Sequence, residues 1–214
     1  MKRLTLTLIT AVAVAALAVP VSAQQNEVGI FVSLAQFDSE TFVDPEFGDT
    51  FTLDFEGQLG WGASYNRYFG EQFSIDFAVQ QINSDAEVNF EDLDVTFDFG
   101  SVDVTAYSAI AQWHFGGTSA TIAPYLGAGV ALVSGQAELD DDLIDPDDPE
   151  TEFDFESETT WVANAGIDFR LGTGFAIFAD AKYIPYDALE ENSPDDEAVS
   201  LNPLVFAAGV KFRF

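Results

Sequence analysis

The ten residues Val205-Phe-Ala-Ala-Gly-Val-Lys-Phe-Arg-Phe214 decide how this chain folds. Taken alternately, they form two faces of different character. One face holds Phe206, Ala208, Val210, Phe212 and Phe214, and the other holds Val205, Ala207, Gly209, Lys211 and Arg213. A period of two indicates a β-strand. The first face is wholly apolar and the second carries charge, which is typical of a strand that separates lipid from a polar interior.

The same period recurs seven more times along the chain. The alternating runs are 28–35, 59–66, 73–80, 106–115, 126–133, 161–170 and 175–183. The chain is 48% hydrophobic and contains 21 Phe, but no apolar run after residue 23 reaches the roughly 18 residues of a transmembrane helix. A closed barrel also satisfies its backbone hydrogen bonds inside lipid. The sequence therefore predicts an all-β fold, an eight-stranded antiparallel transmembrane β-barrel.

Residues 1–23 have the pattern of a cleaved secretory signal peptide. Lys2 and Arg3 precede an apolar stretch, and Val21-Ser-Ala23 is a small-residue cleavage site. A membrane-anchoring helix is the alternative, but the apolar run is short and Pro20 interrupts it. We expect cleavage before Gln24 and a barrel formed by residues 24–214.

The connections between the predicted strands alternate in length. Short ones lie at 70–72, 116–121 and 171–174, and long ones lie near 38–57, 84–103, 137–158 and 187–200. Outer-membrane barrels have short periplasmic turns and long extracellular loops. Aromatic residues beside the short connections support this orientation with one interfacial girdle, which a soluble β-sandwich has little reason to form. They are Phe69, Phe73, Trp113, Phe115, Phe169, Phe175, Phe212 and Phe214.

The charge of the chain is strongly negative, with 37 acidic and seven basic residues. Nucleic-acid binding needs clustered Lys and Arg, so we expect none. The long loops hold 32 of the 37 acids. The run 140–150 lacks the register of an EF-hand, so we expect no dedicated metal site. A hydrated acidic surface, or weak divalent-cation binding beside lipopolysaccharide, are the interpretations left open.

Two motifs make the chain resemble a known family. The segments Ala111-Gln-Trp-His-Phe-Gly116 and Ala123-Pro-Tyr-Leu-Gly-Ala-Gly-Val130, with the ending at 201–214, are similar to the OmpW family of eight-stranded outer-membrane barrels. The resemblance implies an outer-membrane location and a narrow, partly apolar pore for small hydrophobic solutes. It also implies a surface that some members use as a receptor. The loops depart from the family because they are far more acidic.

The chain ending has a further implication under this resemblance. Gly209, Phe212 and Phe214 look like the signal by which the barrel-assembly machinery recognises its substrates. Simple anchoring of the two phenylalanines in outer-membrane lipid is the plain alternative, and both roles are compatible.

Strand parity places four acids and four bases inside the barrel. They are Glu27, Asp76, Asp168 and Asp180, with Arg170, Lys182, Lys211 and Arg213. An unpaired charge in a confined interior is costly, so we expect ion pairs, with Asp76 among the paired acids. The pairs would plug the lumen or act as a charge-selective filter. Arg67 has the outward parity and is expected to reach the membrane interface.

The other end of the lumen is predicted to be apolar. The residues with inward or near-inward parity there are Phe37, Ile82, Val133, Val162, Ile184, Leu201 and Val205. Inward glycines at 60, 62, 127, 129, 166 and 209 are expected to leave a cavity. Pro185 and Pro203 cannot donate ladder hydrogen bonds, which predicts a sideways exit between the last two strands.

The sequence favours a channel over two alternatives. A structural or surface-interaction barrel without transport is the first alternative. Catalysis is the second, and we expect no enzyme, because the single histidine, His114, is placed in the lumen, away from the lipid and the cell surface. We expect no cofactor, and the absence of cysteine excludes disulfides and Cys-based zinc sites.

Overall fold

The computed structural model describes residues 26–37, 40–43, 50–56, 59–90, 95–139, 152–155, 157–188, 199–200 and 202–214. The predicted signal peptide lies outside these residues. Within them all regular elements are β-strands. No described helix is long and apolar enough to cross a membrane.

Eight strands form the wall of a closed barrel. They are β1 (Asn26–Gln36), β4 (Leu59–Tyr68), β5 (Phe73–Phe90), β6 (Val95–His114), β7 (Ile122–Leu139), β9 (Glu158–Arg170), β10 (Phe175–Tyr183) and β13 (Leu204–Arg213). Each pairs antiparallel with the next around the ring, and β1 closes the wall by pairing with both β4 and β13. Every predicted strand is present, so the eight-stranded antiparallel barrel is confirmed.

Among the described residues, five short strands lie outside the barrel wall. They are β2 (Glu40–Val43), β3 (Thr50–Glu56), β8 (Glu152–Asp154), β11 (Asp187–Ala188) and β12 (Val199–Ser200). β3 pairs with β5 at the end of β5 that is distant from the short turns, and β2 pairs with β3. β8 pairs with the corresponding end of β7. We call this end of the barrel the loop end, and the opposite end, with the short turns, the turn end.

The prediction of a long loop at 84–103 was wrong in its extent. β5 continues to Phe90 and β6 begins at Val95, and the two pair over their whole length with one irregularity after Ala86. The reason is that acids and apolar residues keep alternating through Glu87 and Asp98, so the period of two extends beyond the membrane-spanning part.

The turn end is built from three tight connections. Gly70, Gly116, Gly117 and Gly172 have positive φ angles there, between 69° and 102°. Residues with a Cβ rarely adopt such angles, so these glycines permit the short turns.

Two rings of exposed aromatic residues border the outer face. The ring at the turn end consists of the eight predicted aromatics, all of which are exposed. The second ring consists of Trp61, Tyr107, Trp161 and Tyr183. Each of its members lies about nine residues from a short turn, a rise of roughly 23 Å along a strand tilted by about 40°. That spacing matches the apolar band of an outer-membrane barrel, which is about 25 Å tall.

Arg67 lies beside the ring of aromatic residues at the turn end. It is buried, and its guanidinium carbon lies 5.6 Å from the centroid of the Phe69 ring. Its reach to the lipid headgroups stays a prediction.

Candidate functional site in the barrel lumen

The turn half of the lumen is organised around Asp168 on β9. Its Oδ1 atom accepts a hydrogen bond of 2.7 Å from Nζ of Lys211 on β13. Its Oδ2 atom lies 3.9 Å from Nη2 of Arg170 and 3.6 Å from Nδ1 of His114. All four side chains are buried. One carboxylate is therefore shared by two basic side chains from two strands.

A second acid, Glu27 on β1, is paired at the same end. Its Oε1 atom accepts a hydrogen bond of 2.9 Å from Nε of Arg213, and its Oε2 atom accepts one of 3.1 Å from the hydroxyl of Tyr68. Strands β1 and β13 carry this pair, so it joins the first wall strand to the last.

Two arginines also hold the turn between β6 and β7 across the barrel mouth. Nη1 of Arg170 donates to the carbonyl oxygens of Gly117 and Ala120, at 2.6 and 2.8 Å. Nη1 of Arg213 donates to the carbonyl oxygen of Thr118, at 3.1 Å. The turn half is thus closed by ion pairs and by backbone bound to them.

Asp180 is the centre of the next layer. Its Oδ1 atom lies 2.8 Å from Nζ of Lys182. Its Oδ2 atom accepts hydrogen bonds from the hydroxyl of Tyr125 and from Nδ2 of Asn164, both at 2.9 Å. Asn66 and Gln112 form a further buried hydrogen bond of 2.9 Å. These contacts come from five different strands and fix the middle of the barrel.

The prediction that Asp76 is ion-paired was wrong for the described residues. Asp76 is buried, but no basic nitrogen lies within 4.0 Å of its carboxylate in the described part of the chain. It faces a central cavity of about 10 Å³, room for roughly one water molecule, together with Lys182 and Lys211. Those two lysines are nearer to Asp180 and Asp168, which explains the missing pair.

The cavity that the sequence suggested is filled by aromatic rings at three of the six inward glycines, Gly62, Gly166 and Gly209, and by backbone and other side chains at the rest. A Cβ on Gly62 would clash with Phe31, one on Gly166 with Tyr125, and one on Gly209 with the backbone at Ile30. Phe31 and Phe178 meet edge to face, with centroids 6.1 Å apart. Sequence reasoning missed this layer, although inward glycines beside inward aromatics were a readable signal.

The aromatic rings also contact the ammonium groups of two lysines. Nζ of Lys211 lies 4.5 Å from the Phe178 centroid, and Nζ of Lys182 lies 4.9 Å from the Phe31 centroid. Cation–π contacts of this kind stabilise a charge in a site without bulk water. The layer of Phe31, Tyr125 and Phe178 lies between the turn half and the loop half of the lumen.

The loop half of the lumen is an apolar cluster. Ile82, Val133, Val162, Ile184 and Val205 are all at most 2% exposed and belong to it, and Phe37 packs against it. Leu201, the remaining predicted member, lies outside the described residues. Further members are Ala35, Val102, Val104, Ala106, Ile110, Ala131, Ala137 and Tyr186. Six of the seven apolar residues predicted from parity, all but Leu201, are thus brought together in one cluster.

The wall beside this cluster is weakly hydrogen-bonded between β10 and β13. Regular pairing ends at Tyr183 and Leu204. Beyond it, the amide of Ile184 donates to the Pro203 carbonyl at 3.2 Å, and the amide of Asn202 donates to the Tyr186 carbonyl at 3.5 Å. The amide of Tyr186 donates to Oδ1 of Asn202 at 3.3 Å, and strand pairing resumes between β11 and β12. Pro185 and Pro203 have no amide hydrogen to contribute. A side chain therefore replaces part of the ladder here.

Residues 4–214 match the family model described as the outer membrane protein beta-barrel domain. The chain belongs to this family. It is accordingly a protein of the outer membrane, as the resemblance predicted.

Relatives in sequence and in structure agree with this assignment. Outer membrane protein W of Salmonella typhi is 26% identical over 125 residues, 56% of this chain and 58% of that protein. The alignment thus spans somewhat more than half of each chain, and it confirms the likeness to the OmpW family.

Two solved outer-membrane barrels share the fold. OprG of Pseudomonas aeruginosa has a TM-score of 0.70 at 14% identity, and the match covers 89% of this chain and 95% of OprG. Ail, the attachment invasion locus protein of Yersinia pestis, was solved with the heparin analogue sucrose octasulfate. It has a TM-score of 0.54 at 14% identity, with 90% of this chain and 100% of Ail covered.

In this outer-membrane barrel, the three residues of the predicted assembly ending differ in environment. Phe212 and Phe214 are exposed on the outer face with stacked rings, and Phe214 is 62% exposed. Gly209 points inward, where a Cβ would lie 2.8 Å from the Phe178 ring. Gly209 therefore has a packing role that is independent of recognition.

The lumen contains one constellation with the residue types of a hydrolase. Nε2 of His114 lies 2.9 Å from the hydroxyl of Ser74, and its Nδ1 atom faces Asp168. All three residues are at most 1% exposed, and the Tyr68 and Tyr125 rings lie about 5 Å from the His114 ring. A nucleophile must touch its substrate, so this packed group fits a structural network. No cluster of three or more potential metal ligands occurs among the described residues.

Proposed function

We propose that this barrel is a narrow channel for the passive passage of small, mainly hydrophobic solutes. The observation that carries the proposal is the apolar cluster at the loop end. It takes side chains from β1, β5, β6, β7, β9 and β13, and from the segment after β10. An apolar solute that displaces these side chains replaces one set of apolar contacts by another, so its passage costs little free energy.

The route we propose leaves the barrel sideways. The ion pairs of Asp168 and the aromatic layer block a straight path, because a passing apolar solute would have to break buried charge contacts. Ile184 and Val205 belong to the apolar cluster and lie on both sides of the seam between β10 and β13. Between Tyr183 and the β11–β12 pair, opening that seam breaks the backbone hydrogen bonds donated by Ile184 and Asn202, and Pro185 and Pro203 donate none.

The proposed orientation puts the turn end in the periplasm and the loop end outside the cell, beside lipopolysaccharide. The acidic segments would then surround the outer mouth, and Asp154 on β8 is one exposed acid at the loop end. Negative charge at the mouth repels anions. Neutral or cationic apolar solutes are therefore proposed in preference to fatty-acid anions.

A surface-interaction or structural barrel is the second candidate. It is favoured by the close packing of the apolar cluster, in which Val162 and Val205 are 0% exposed. On that account the cluster is the hydrophobic core of the sheet that β5, β6 and β7 form beyond the part of the barrel that spans the membrane. The fold likeness to Ail supports it at the level of architecture alone.

Solute flux separates the two candidates. Purified barrel in liposomes should admit a small neutral hydrocarbon, and Val205→Asp should slow it by placing a charge in the apolar cluster. Asn66→Asp is the matched control, because it adds the same charge in the polar half of the lumen. No flux above protein-free liposomes would favour the second candidate, and equal flux through Val205→Asp and wild type would remove the cluster from the route.

The acidic mouth is tested in the same liposomes by comparing the hydrocarbon with a fatty acid of equal length. We expect faster flux of the hydrocarbon at neutral pH and low salt, and a smaller difference at high salt, because salt screens the mouth. Equal rates at low salt would show that the acids do not select against anions.

A further inference from the structure

The apolar cluster at the loop end contains a polar atom without a partner. The hydroxyl oxygen of Tyr186 is buried and has no hydrogen-bond partner in the described part of the chain. Tyr186 as a whole is 1% exposed and belongs to the cluster together with Ile184 and Val205. A donor that is buried without an acceptor is costly, so its retention points to an acceptor that arrives from outside the fold.

The backbone of Tyr186 is held in place on both sides by Asn202. The amide of Tyr186 donates to Oδ1 of Asn202 at 3.3 Å, and its carbonyl accepts from the amide of Asn202 at 3.5 Å. Asn202 has a φ angle of 34°, in the left-handed region that asparagine adopts more readily than most residues. The Tyr186 side chain therefore enters the cluster from a fixed backbone.

The Tyr186 hydroxyl and the Phe155 ring lie together over Gly135 on β7. A Cβ on Gly135 would lie 3.3 Å from the Tyr186 hydroxyl oxygen and 2.7 Å from Cδ2 of Phe155. Phe155 is only partly buried and packs against the cluster, and its amide donates to the Gly135 carbonyl at 3.0 Å. A partly exposed ring on a fixed backbone is thus the side chain that a solute displaces to contact the hydroxyl.

The charge near this hydroxyl determines which acceptor suits it. Burial first, and the Glu158 carboxylate second, raise the pKa of Tyr186 to about 12. Tyr186 lies beyond Tyr183, which belongs to the aromatic ring at the membrane boundary, and its hydroxyl is protonated at neutral pH. Glu158 is half-buried, and its negative charge repels an anionic acceptor such as a carboxylate. A neutral oxygen is therefore the acceptor that fits.

We propose that Tyr186 determines specificity on the solute route, by donating a hydrogen bond to a neutral acceptor oxygen on an otherwise apolar solute. The carbonyl of a ketone or an ester has this chemistry. The inference rests on the proposed function, because the solute reaches the hydroxyl by displacing Phe155 and other side chains of the cluster. It narrows the preferred solutes from hydrocarbons to apolar molecules with one carbonyl group.

The first test is binding to the purified barrel in lipid nanodiscs. The probe is the methyl ketone with the chain length of nonane, labelled with carbon-13 at its carbonyl, and nanodiscs without the barrel give the background from lipid. A hydrogen bond donated to a carbonyl moves its carbon signal downfield. We expect a saturable downfield shift with the wild type, and no saturable shift above the lipid background would overturn the proposal.

Tyr186→Phe removes the hydroxyl and keeps the ring. It should abolish the shift and weaken ketone binding roughly tenfold, as expected for the loss of one hydrogen bond. Tyr183→Phe, on the exposed outer face, is the matched control and should bind the ketone as the wild type does. A shift that persists unchanged in Tyr186→Phe would refute the role of this hydroxyl.

The stability of the same variant distinguishes recognition from a structural role. Because the hydroxyl has no partner within the described fold, Tyr186→Phe should unfold at a urea concentration no lower than the wild type. Tyr125→Phe, which loses a hydrogen bond to Asp180, should unfold at a lower concentration. A clear drop for Tyr186→Phe would show that its hydroxyl is already bonded within the protein, against the proposal.

Flux into liposomes separates failure of this proposal from failure of the proposed channel. We expect Tyr186→Phe to slow the ketone several-fold and to leave nonane unchanged. If both solutes cross faster than in protein-free liposomes but Tyr186→Phe alters neither, the channel stands and the specificity role of Tyr186 is overturned. If ketone binding depends on Tyr186 but neither solute crosses, the binding site stands and the channel is overturned.

Discussion

The turn half and the loop half of the lumen are both packed, but with different side chains. In the turn half, Asp168, Glu27 and their basic partners are held by hydrogen bonds of defined geometry. In the loop half, Ile82, Val162 and the other members of the cluster are held mainly by apolar contact. The layer of Phe31, Tyr125 and Phe178 divides the two.

This difference determines how each half responds to a solute. Ion pairs are directional, and a buried charge that loses its partner is destabilised by several kcal/mol. Apolar contacts are non-directional, and a hydrophobic solute can supply them as well as a neighbouring side chain does. In the proposed channel, the loop half would therefore exchange apolar contacts with a solute at low cost, and the turn half would be the rigid seal.

The largest effect is expected from Asp168→Asn, which breaks the seal. It leaves Lys211 and Arg170 buried without their shared carboxylate, and should lower the free energy of unfolding by about 3–5 kcal/mol. Glu71→Gln, at an exposed position of the β4–β5 turn, should change it by less than about 0.5 kcal/mol. Urea titration of both variants in lipid vesicles measures the difference, and similar values would refute the buried network.

Ile82→Ala tests the loop half. Removing part of a side chain that is 1% exposed should cost about 2–4 kcal/mol and should raise hydrocarbon flux, because the cluster loosens. Ile75→Ala on the same strand faces outward, where lipid fills the space, so its cost should be smaller and its flux unchanged. A loss of stability with no gain in flux would make the cluster a structural core and favour the second candidate function.

Tyr125→Phe tests the layer between the halves. It removes the hydrogen bond of 2.9 Å to Oδ2 of Asp180 while keeping the ring, so we expect a loss of about 1–2 kcal/mol. Tyr183→Phe, on the exposed outer face, is the control and should be close to neutral. Equal stabilities of the two variants would show that Asp180 does not depend on this donor.

Phe214→Asp should have the smallest effect on stability, about 0–1 kcal/mol, because the residue lies on the outer face at the membrane interface. Phe175→Asp, at the same rim, should match it in vitro. If Phe214 also serves as an assembly signal, the amount of folded barrel in cells should fall further for Phe214→Asp. Equal amounts would leave membrane anchoring as the role of Phe214.

The period of two predicted most of the fold, because it assigns each side chain to the lipid face or to the lumen. It correctly assigned Lys211 and Asp168 to the lumen face, and it assigned apolar residues such as Ile82 and Val162 to the same face. The alternation could not assign ion-pair partners, because the height of each residue along the barrel axis depends on the register between strands. Asp76 was therefore paired wrongly.

A further feature could not be predicted from the sequence pattern. The filling of glycine positions by Phe31 and Tyr125 depends on which residues face each other across the lumen, which parity does not specify.

The central claim, sideways exit between β10 and β13 at the loop end, has one direct test. Tyr183 and Leu204 face each other across this seam, and Phe175 and Phe212 do so at the turn end. The chain has no cysteine, so a Cys pair at either position gives a single disulfide. Hydrocarbon uptake is measured in cells that carry each oxidised pair, before and after reduction. We expect the 183–204 disulfide to slow uptake several-fold, with recovery on reduction, and the 175–212 disulfide to leave it unchanged. Uptake that is equally fast through both oxidised variants and wild type would contradict the sideways route.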